Sequence, residues 1–450
     1  MRPSSSPSEG LFGGVLGRGG ASGEVADDAW MRALLDVESA LAASCADAGL
    51  VPPEAAAAIV RACADPGRYD IAALGTAAAD DGNPVVPLVR AICDVAGRDA
   101  SAWVHLGATS QDVLDTATVL VARRAVVHVI DDLAGAADAA GRLARTHRDT
   151  EIIGRTLLQQ AIPTTFGLKA AGWSLALDHA GERVLQTTDA LPLQLGGAAG
   201  TLAGYGDRAD QVVAGLATFL GLPAPVLPWH TARGPLADLA GALGAAGGAV
   251  GKVALDVCLL AQSEVAEVHE GTAGRGGSSA MPHKHNPVAA ISARAAALQG
   301  PGLVASMLTS MAQEHERAAG AWQAEWETLG ALLRSTGSAA SWLRDCLEGL
   351  VVDSARMAAN LETGKDGLVA QRLADTLTGD LGRPSAHDLV AAAADRARAG
   401  GRTLLDELAD DPGCPYDAAH LAALVAPSVD HAVRLVDRAL SARTPKEPQP

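Results

Sequence analysis

From Asp112 to Thr150 the chain reads "DVLDTATVLVARRAVVHVIDDLAGAADAAGRLARTHRDT", with no proline and with apolar residues returning every three or four positions. That period buries one face of an α-helix and is incompatible with the two-residue alternation of a half-buried strand. Similar runs cover Pro163 to Thr188, Pro287 to Leu298, Ser310 to Leu347 and "GPLADLAGALGAAGGAVGKVALDVCLLAQSEVAEV", where Pro235 suits a first helical turn. Hydrophobic residues make up 48% of the chain and aromatics 3%, so the core must be built from Ala, Leu, Val and Ile. The pattern predicts an all-α protein with a central bundle of four or five helices, each about 45 Å long at 1.5 Å per residue. Small side chains let such helices approach closely, and faces this long predict burial against a second subunit. A homo-oligomer is therefore expected.

Around that bundle the chain changes character. Short helices broken by "VPPE", "DPGRYD" and "DDGNPVVP" predict an N-terminal helical domain over residues 1–105, followed by the bundle over 106–350. Shorter helices separated by "TGDLGRPS" and "DDPGCP" predict a C-terminal domain over 351–450. The first ten residues and "SARTPKEPQP" are rich in Pro, Ser and charge, which predicts disorder at both ends. No fixed-period repeat and no βαβ alternation is present.

The formal charge of −17 and the lack of a Lys/Arg stripe argue against a nucleic-acid partner. An anionic small molecule would then require the few basic residues to be concentrated locally. The six cysteines form no CxxC pair, so reduced thiols in a cytoplasmic setting are expected. "MRPSSSPSEG" has no apolar core for a signal peptide. "LAGALGAAGGAVG", between Asp238 and Lys252, is read as too short and Gly-rich to span a bilayer, so no membrane partner is expected.

Polar islands interrupt the apolar runs. In "HLGATSQDVLDT", Thr109 and Ser110 stand where a long helix starts; they can cap it, or join its free N–H groups in holding a carboxylate. "GRTLLQQAIPTTFG" places Arg155, Gln159 and Gln160 before Pro163, either as a solvated helix-entry loop or as a pocket lining. "LQLGGAAGTLAGYG" matches no nucleotide-binding fingerprint.

The fourth island, "GRGGSSAMPHKHNPV", combines lid-like glycines with Ser278, Ser279, Lys284 and Asn286. His283 and His285, with His269, leave zinc open as an alternative, although no carboxylate or Cys stands at ligand spacing. There is no GxSxG elbow for a serine nucleophile. A serine beside a lysine can instead transfer a proton, the local positive field stabilising its alkoxide.

Together these islands identify the chain as resembling the fumarase/aspartase superfamily. "GSSAMPHKHNP" resembles its signature loop, and "HLGATSQDVLDTA" and "RTLLQQAIPTTFGLKAAGW" resemble its other two segments, in the same order. With "LQLGGAAGTLAG" and "LPWHTARGPLADLAGALG", the likeness is greatest to the bacterial 3-carboxy-cis,cis-muconate cycloisomerases and covers nearly the whole chain.

The resemblance implies a three-domain helical fold, a homotetramer whose active sites are shared between subunits, and a small polycarboxylate substrate, with no cofactor or metal. It implies Ser278 as the proton-transfer serine, Lys284 and Asn286 on one carboxylate, Thr109 and Ser110 on a second, and Gln159 in the site. Arg233, in "WHTARGP", is a further candidate anion contact. Two positions depart from the pattern: Leu157 stands where many members have an acid/base histidine, and Gln160 where the cycloisomerases have one. His105 is then the remaining candidate for acid/base chemistry, ahead of His147. A lyase of the same superfamily, releasing an amine, ammonia or nitrite from a substituted succinate, is the alternative activity.

Overall fold

The computed structural model describes residues 10–272, 274–277, 281, 284–363, 365–424 and 429–443. Expectations for the extreme termini, and the candidates Ser278 and His283, fall outside these residues. The fold is all-α, with two short antiparallel ladders as its strands among the described residues. The periodic run becomes a helix over Ser110–Thr146, burying Val113, Ala117, Val121, Ala125, Val129, Leu133, Ala136, Ala140 and Ala144. That row recurs at three- and four-residue steps, as the periodicity requires.

The chain divides into two compact units. The first takes in Met1–Ala136, Leu177–Leu255 and Val288–Asp345, the second Ala137–Ala176, Asp256–Pro287 and Cys346–Pro450.

In the first unit, the helix Asp27–Asp47 packs against Pro53–Cys63 and Ala209–Leu220. The helix Gly234–Leu260 runs close to Gly300–Thr309: a Cβ at Gly244 would stand 2.6 Å from Val304 Cγ2. On length and composition alone Gly234–Leu260 is able to cross a membrane, as is Val288–Thr309. The expectation that the Gly-rich run is too short therefore does not hold as a matter of length. What the helix does with its apolar face is bury Leu236, Leu239, Ala240, Leu243, Ala246 and Val250 inside the protein.

The run expected from Ser310 to Leu347 is helical only over Ala321–Glu348. Tertiary hydrogen bonds take over the segment before it, where Thr231 Oγ1 donates to the His315 carbonyl and Arg317 to that of Gly197.

In the second unit, Glu151–Thr156 (β1) and Gln159–Thr165 (β2) form an antiparallel hairpin, where the sequence suggested a loop into a helix beginning at Pro163. That helix begins at Phe166. Ile152 and Ile153 of β1 are buried, and Ile153 packs on Leu361. Val268–Glu270 (β3) pairs with Leu350–Val352 (β4). Helices Lys365–Leu381 and Arg383–Gly400 close a separate core around Leu373, Leu377, Val390, Leu404 and Leu408.

Candidate functional site

Within the first unit the site is built on the start of the Ser110–Thr146 helix, and its organiser is Asp112. This carboxylate is 1% exposed. Its Oδ2 accepts the N–H of Thr109 at 3.0 Å and of Gly197 at 2.9 Å; its Oδ1 accepts the N–H of Gly196 at 2.9 Å and lies 2.6 Å from His230 Nε2. An ionised carboxylate offers only acceptors, so His230 carries its proton on Nε2.

Because Asp112 reaches back to the Thr109 N–H, as the acidic half of a capping box does, the helix is capped without help from Thr109 or Ser110. Neither hydroxyl makes a hydrogen bond among the described residues, and both residues are half-buried. Two uncommitted hydroxyls at the positive end of a long helix can hold a carboxylate.

Arg233 does not share that role. It is 2% exposed, and its Nη1 and Nη2 donate to Asp115 at 2.7 and 3.0 Å. Its Nε and Nη2 donate to Glu325 at 3.1 and 2.6 Å, and Nη1 also reaches the His230 carbonyl at 3.4 Å. All five N–H donors of the guanidinium are thereby occupied. The anion contact expected of Arg233 is corrected on this ground: its charge is consumed by two buried carboxylates, and Trp322 Nε1 donates to the same Asp115.

Arg317 has the opposite character, and sequence reasoning missed it. Its Nη2 donates to the Gly197 and Ala198 carbonyls at 2.5 and 3.2 Å and its Nη1 to that of Glu316, while no carboxylate pairs with it among the described residues. Burial lowers its pKa, with Asp112 and Asp115 opposing. A half-buried guanidinium resting on carbonyls, beside the Gly196–Gly197 turn that Asp112 holds, is electrostatically open to an anion. Nothing in the local pattern "EHERAAG" marks it; only the fold brings it to that turn.

His105 begins the segment that leads into the helix, with φ +58°. Its Nδ1 lies 2.6 Å from Oε1 of Glu38, a carboxylate with no side-chain exposure. Burial alone would lower the His105 pKa, but Glu38, through its charge and hydrogen bond, and Asp112 raise it above the ordinary value. Glu38 was also missed, although its signal was present: a glutamate among the buried Leu34, Leu35, Val37 and Leu41 of one helix.

In the second unit, Lys284 is exposed and Asn286 is half-buried. The Asn286 backbone N–H and Nδ2 both donate to the Gly276 carbonyl, at 2.9 and 3.1 Å, and Gly277 bridges His285. Gly276 has φ +79°, and a Cβ there would collide with the Asn286 carbonyl. Asn286 therefore holds the two arms of the loop together with the amide expected to meet substrate.

Gln159 is exposed next to the hairpin turn, whose two residues, Leu157 and Leu158, both have positive φ (52° and 66°). Arg155 makes a bidentate pair with buried Glu267 at 2.9 and 2.8 Å, and Asn360 donates to the same carboxylate, so this arginine is a strut. His147 sits edge-on to Phe166, and burial lowers its pKa. No group of three or more His, Cys, Asp or Glu able to hold a metal occurs among the described residues.

Residues 20–302 match a family model described as Lyase. The chain is 46% identical over 432 residues to a nitrosuccinate lyase of Streptomyces davaonensis, covering 92% of this chain and 91% of that one. It is 45% identical over 390 residues to a 3-carboxy-cis,cis-muconate cycloisomerase of Bradyrhizobium diazoefficiens, covering 86% of each. The crystal structure of the 3-carboxy-cis,cis-muconate lactonizing enzyme of Pseudomonas putida superposes with a TM-score of 0.87 at 39% identity, covering 96% of this chain and 98% of that one.

Proposed function

Since this chain belongs to the fumarase/aspartase superfamily of lyases, we propose that it is a cycloisomerase that closes 3-carboxy-cis,cis-muconate to 4-carboxymuconolactone. The substrate class rests on one observation: in a chain of net charge −17, Thr109 and Ser110 present uncommitted hydroxyls at a helix start held by Asp112, and Arg317, bonded to carbonyls including that of Gly197, is paired with no carboxylate among the described residues. The choice of lactonisation is supported by likeness to cycloisomerases in both sequence and structure.

In this reading one substrate carboxylate adds through oxygen to the carbon–carbon double bond conjugated with another carboxylate. The displaced electron pair moves onto that second group as an aci-carboxylate, and a proton then goes to the carbon beside it. The lactone carries one carboxylate fewer, so each turnover takes up one proton. Ser278 delivers it, and His105 is the titratable group that supplies protons at the site. Preorganised donors stabilise the aci-carboxylate: the roles assigned are Thr109, Ser110 and Arg317 for one substrate carboxylate and Lys284 and Asn286 for another, with Gln159 as a further substrate-binding residue, each site drawing on more than one subunit. No redox group is required.

The assembly proposed is a cytoplasmic homotetramer with shared active sites. The exposed Leu157, Leu158 and Ile162 at the hairpin support a covering subunit. Mixing Ser278→Ala with Asp112→Ala protomers, each inactive alone, should restore turnover if sites are shared, and restore none if each site is built from one chain.

A second reading is elimination of nitrite from 2-nitrosuccinate to give fumarate. It is favoured by the Streptomyces davaonensis relative, whose likeness spans more of the chain. Elimination releases a proton where lactonisation takes one up. Incubating the enzyme with each substrate decides between them: ultraviolet loss of carboxymuconate without fumarate supports the cycloisomerase, and fumarate with nitrite overturns it.

A further inference from the structure

Glu38 has no part in the chemistry above, yet it is among the least accessible charges of the first unit. Its Oε1 meets His105 Nδ1 at 2.6 Å, and its Oε2 is buried with no hydrogen-bond partner. A carboxylate left half-satisfied in the interior costs stability unless its charge is used. The backbone around it is also under constraint. His105 sits at positive φ, and two residues on, a Cβ at Gly107 would stand 2.7 Å from Tyr205 Cε1. The ring that meets Glu38 is thus carried on backbone in the left-handed region, uncommon for residues other than glycine.

With Nδ1 committed, Nε2 is the nitrogen left for exchange; it has no partner among the described residues, and the side chain is 17% exposed. We propose that Glu38 is a positioning residue for the reaction, taking His105 Nδ1 so that Nε2 is the atom that gives or accepts the proton at the Thr109–Ser110 end of the helix. A buried carboxylate on one imidazole nitrogen fixes the tautomer, orients the ring and favours its protonated form. The groups around the pair are known. Glu38 and Cys45 come from the Asp27–Asp47 helix, Cys63 from Pro53–Cys63, Cys93 from Val85–Ala96, Asp112 from the helix start, and Tyr205 from the 203–208 turn, its hydroxyl buried without a partner. Glu38 and Asp112 both favour the charged ring, against the opposing effect of burial.

The inference rests on the proposed site, so its test is divided. Histidine NMR titration of the substrate-free protein, with His105→Asn for assignment, should place His105 at least one pH unit lower in Glu38→Gln than in the wild type. The amide can still accept from Nδ1 but carries no charge. That result is independent of which substrate is correct. With whichever of carboxymuconate or nitrosuccinate is turned over, the kcat–pH limb that follows His105 should shift by the same amount, with KM within about twofold. Glu38→Asp, retaining the charge, should recover most of the wild-type profile, and it serves as the test if Glu38→Gln does not fold. An unchanged titration, or a shifted titration with an unmoved kcat profile, would overturn the proposal.

Discussion

His230 Nε2 lies 2.6 Å from Asp112 Oδ1, with the two side chains 4% and 1% exposed. The same carboxylate takes three backbone N–H groups from two other points of the chain, so one buried charge ties the helix start to the Gly196–Gly197 turn and to His230. Asp112→Ala orphans these donors together. It should lower stability by about 3–5 kcal/mol and abolish turnover; unfolding within about 1 kcal/mol of the wild type would show that the carboxylate is not the organiser.

Arg233→Met should act on stability rather than on binding. It leaves Asp115 and Glu325 buried without their cation, a loss of about 3–5 kcal/mol. The folded fraction should keep KM within about twofold. A tenfold rise in KM at unchanged melting temperature would restore the anion contact read from the sequence.

Thr109→Val and Ser110→Ala should do the reverse. Neither hydroxyl caps the helix, so the melting transition should stay within about 0.5 kcal/mol of the wild type. Losing a hydrogen bond to a charged ligand costs about 1.5 kcal/mol, roughly tenfold in KM for each. Steady-state kinetics beside a thermal melt separates this from a capping defect.

The β1–β2 turn places two leucines at positive φ, where a two-residue turn of this kind favours Asn-Gly. Leu157→Asn with Leu158→Gly should relieve about 1 kcal/mol or more of backbone strain and raise the melting temperature. Falling activity in the stabilised variant would mean that the exposed leucines serve a contact; unaltered stability would refute the strain.

His105 makes stability depend on pH with a definite sign. Its folded pKa is raised by Glu38 and Asp112 over the opposing effect of burial, so its contribution is fully present below the ordinary histidine value of about 6.5 and is lost as pH rises through the folded value. The difference in melting temperature between wild type and His105→Gln should therefore be largest near pH 5.5 and shrink in alkaline solution. A difference that grows with pH would contradict the raised pKa.

Much of the architecture is legible in local pattern. Val113 through Ala144 declare a helix because burial on a helix follows its own 3.6-residue period, which needs no knowledge of what lies opposite. The island from His105 to Thr116 was also recognisable as a polar helix start. The hairpin was not: Ile152, Ile153 and Ile162 are too few to separate two short strands from a loop, and Leu-Leu is a turn that local preference disfavours.

Thr109 illustrates the division most clearly. By sequence it could be a cap, the commoner use of such a cluster, or a ligand for an anion, because both roles call for a hydroxyl at the same place. Tertiary structure assigned the cap to Asp112 by bringing Gly196, Gly197 and His230 onto that carboxylate. By sequence Arg233 was a candidate anion contact and Arg317 went unmarked, and folding decided their fates: two buried carboxylates enclosed the first, and the second was set on carbonyl oxygens. The sequence alone determined the presence of the long helices, though not all their starts, and the family, because both are written in short-range spacing. Which charges are neutralised and which stay open depends on residues far apart in the chain, 118 positions for Arg233 and Asp115 and 120 for Arg317 and Gly197, meeting in the folded interior, and only the tertiary structure could decide that.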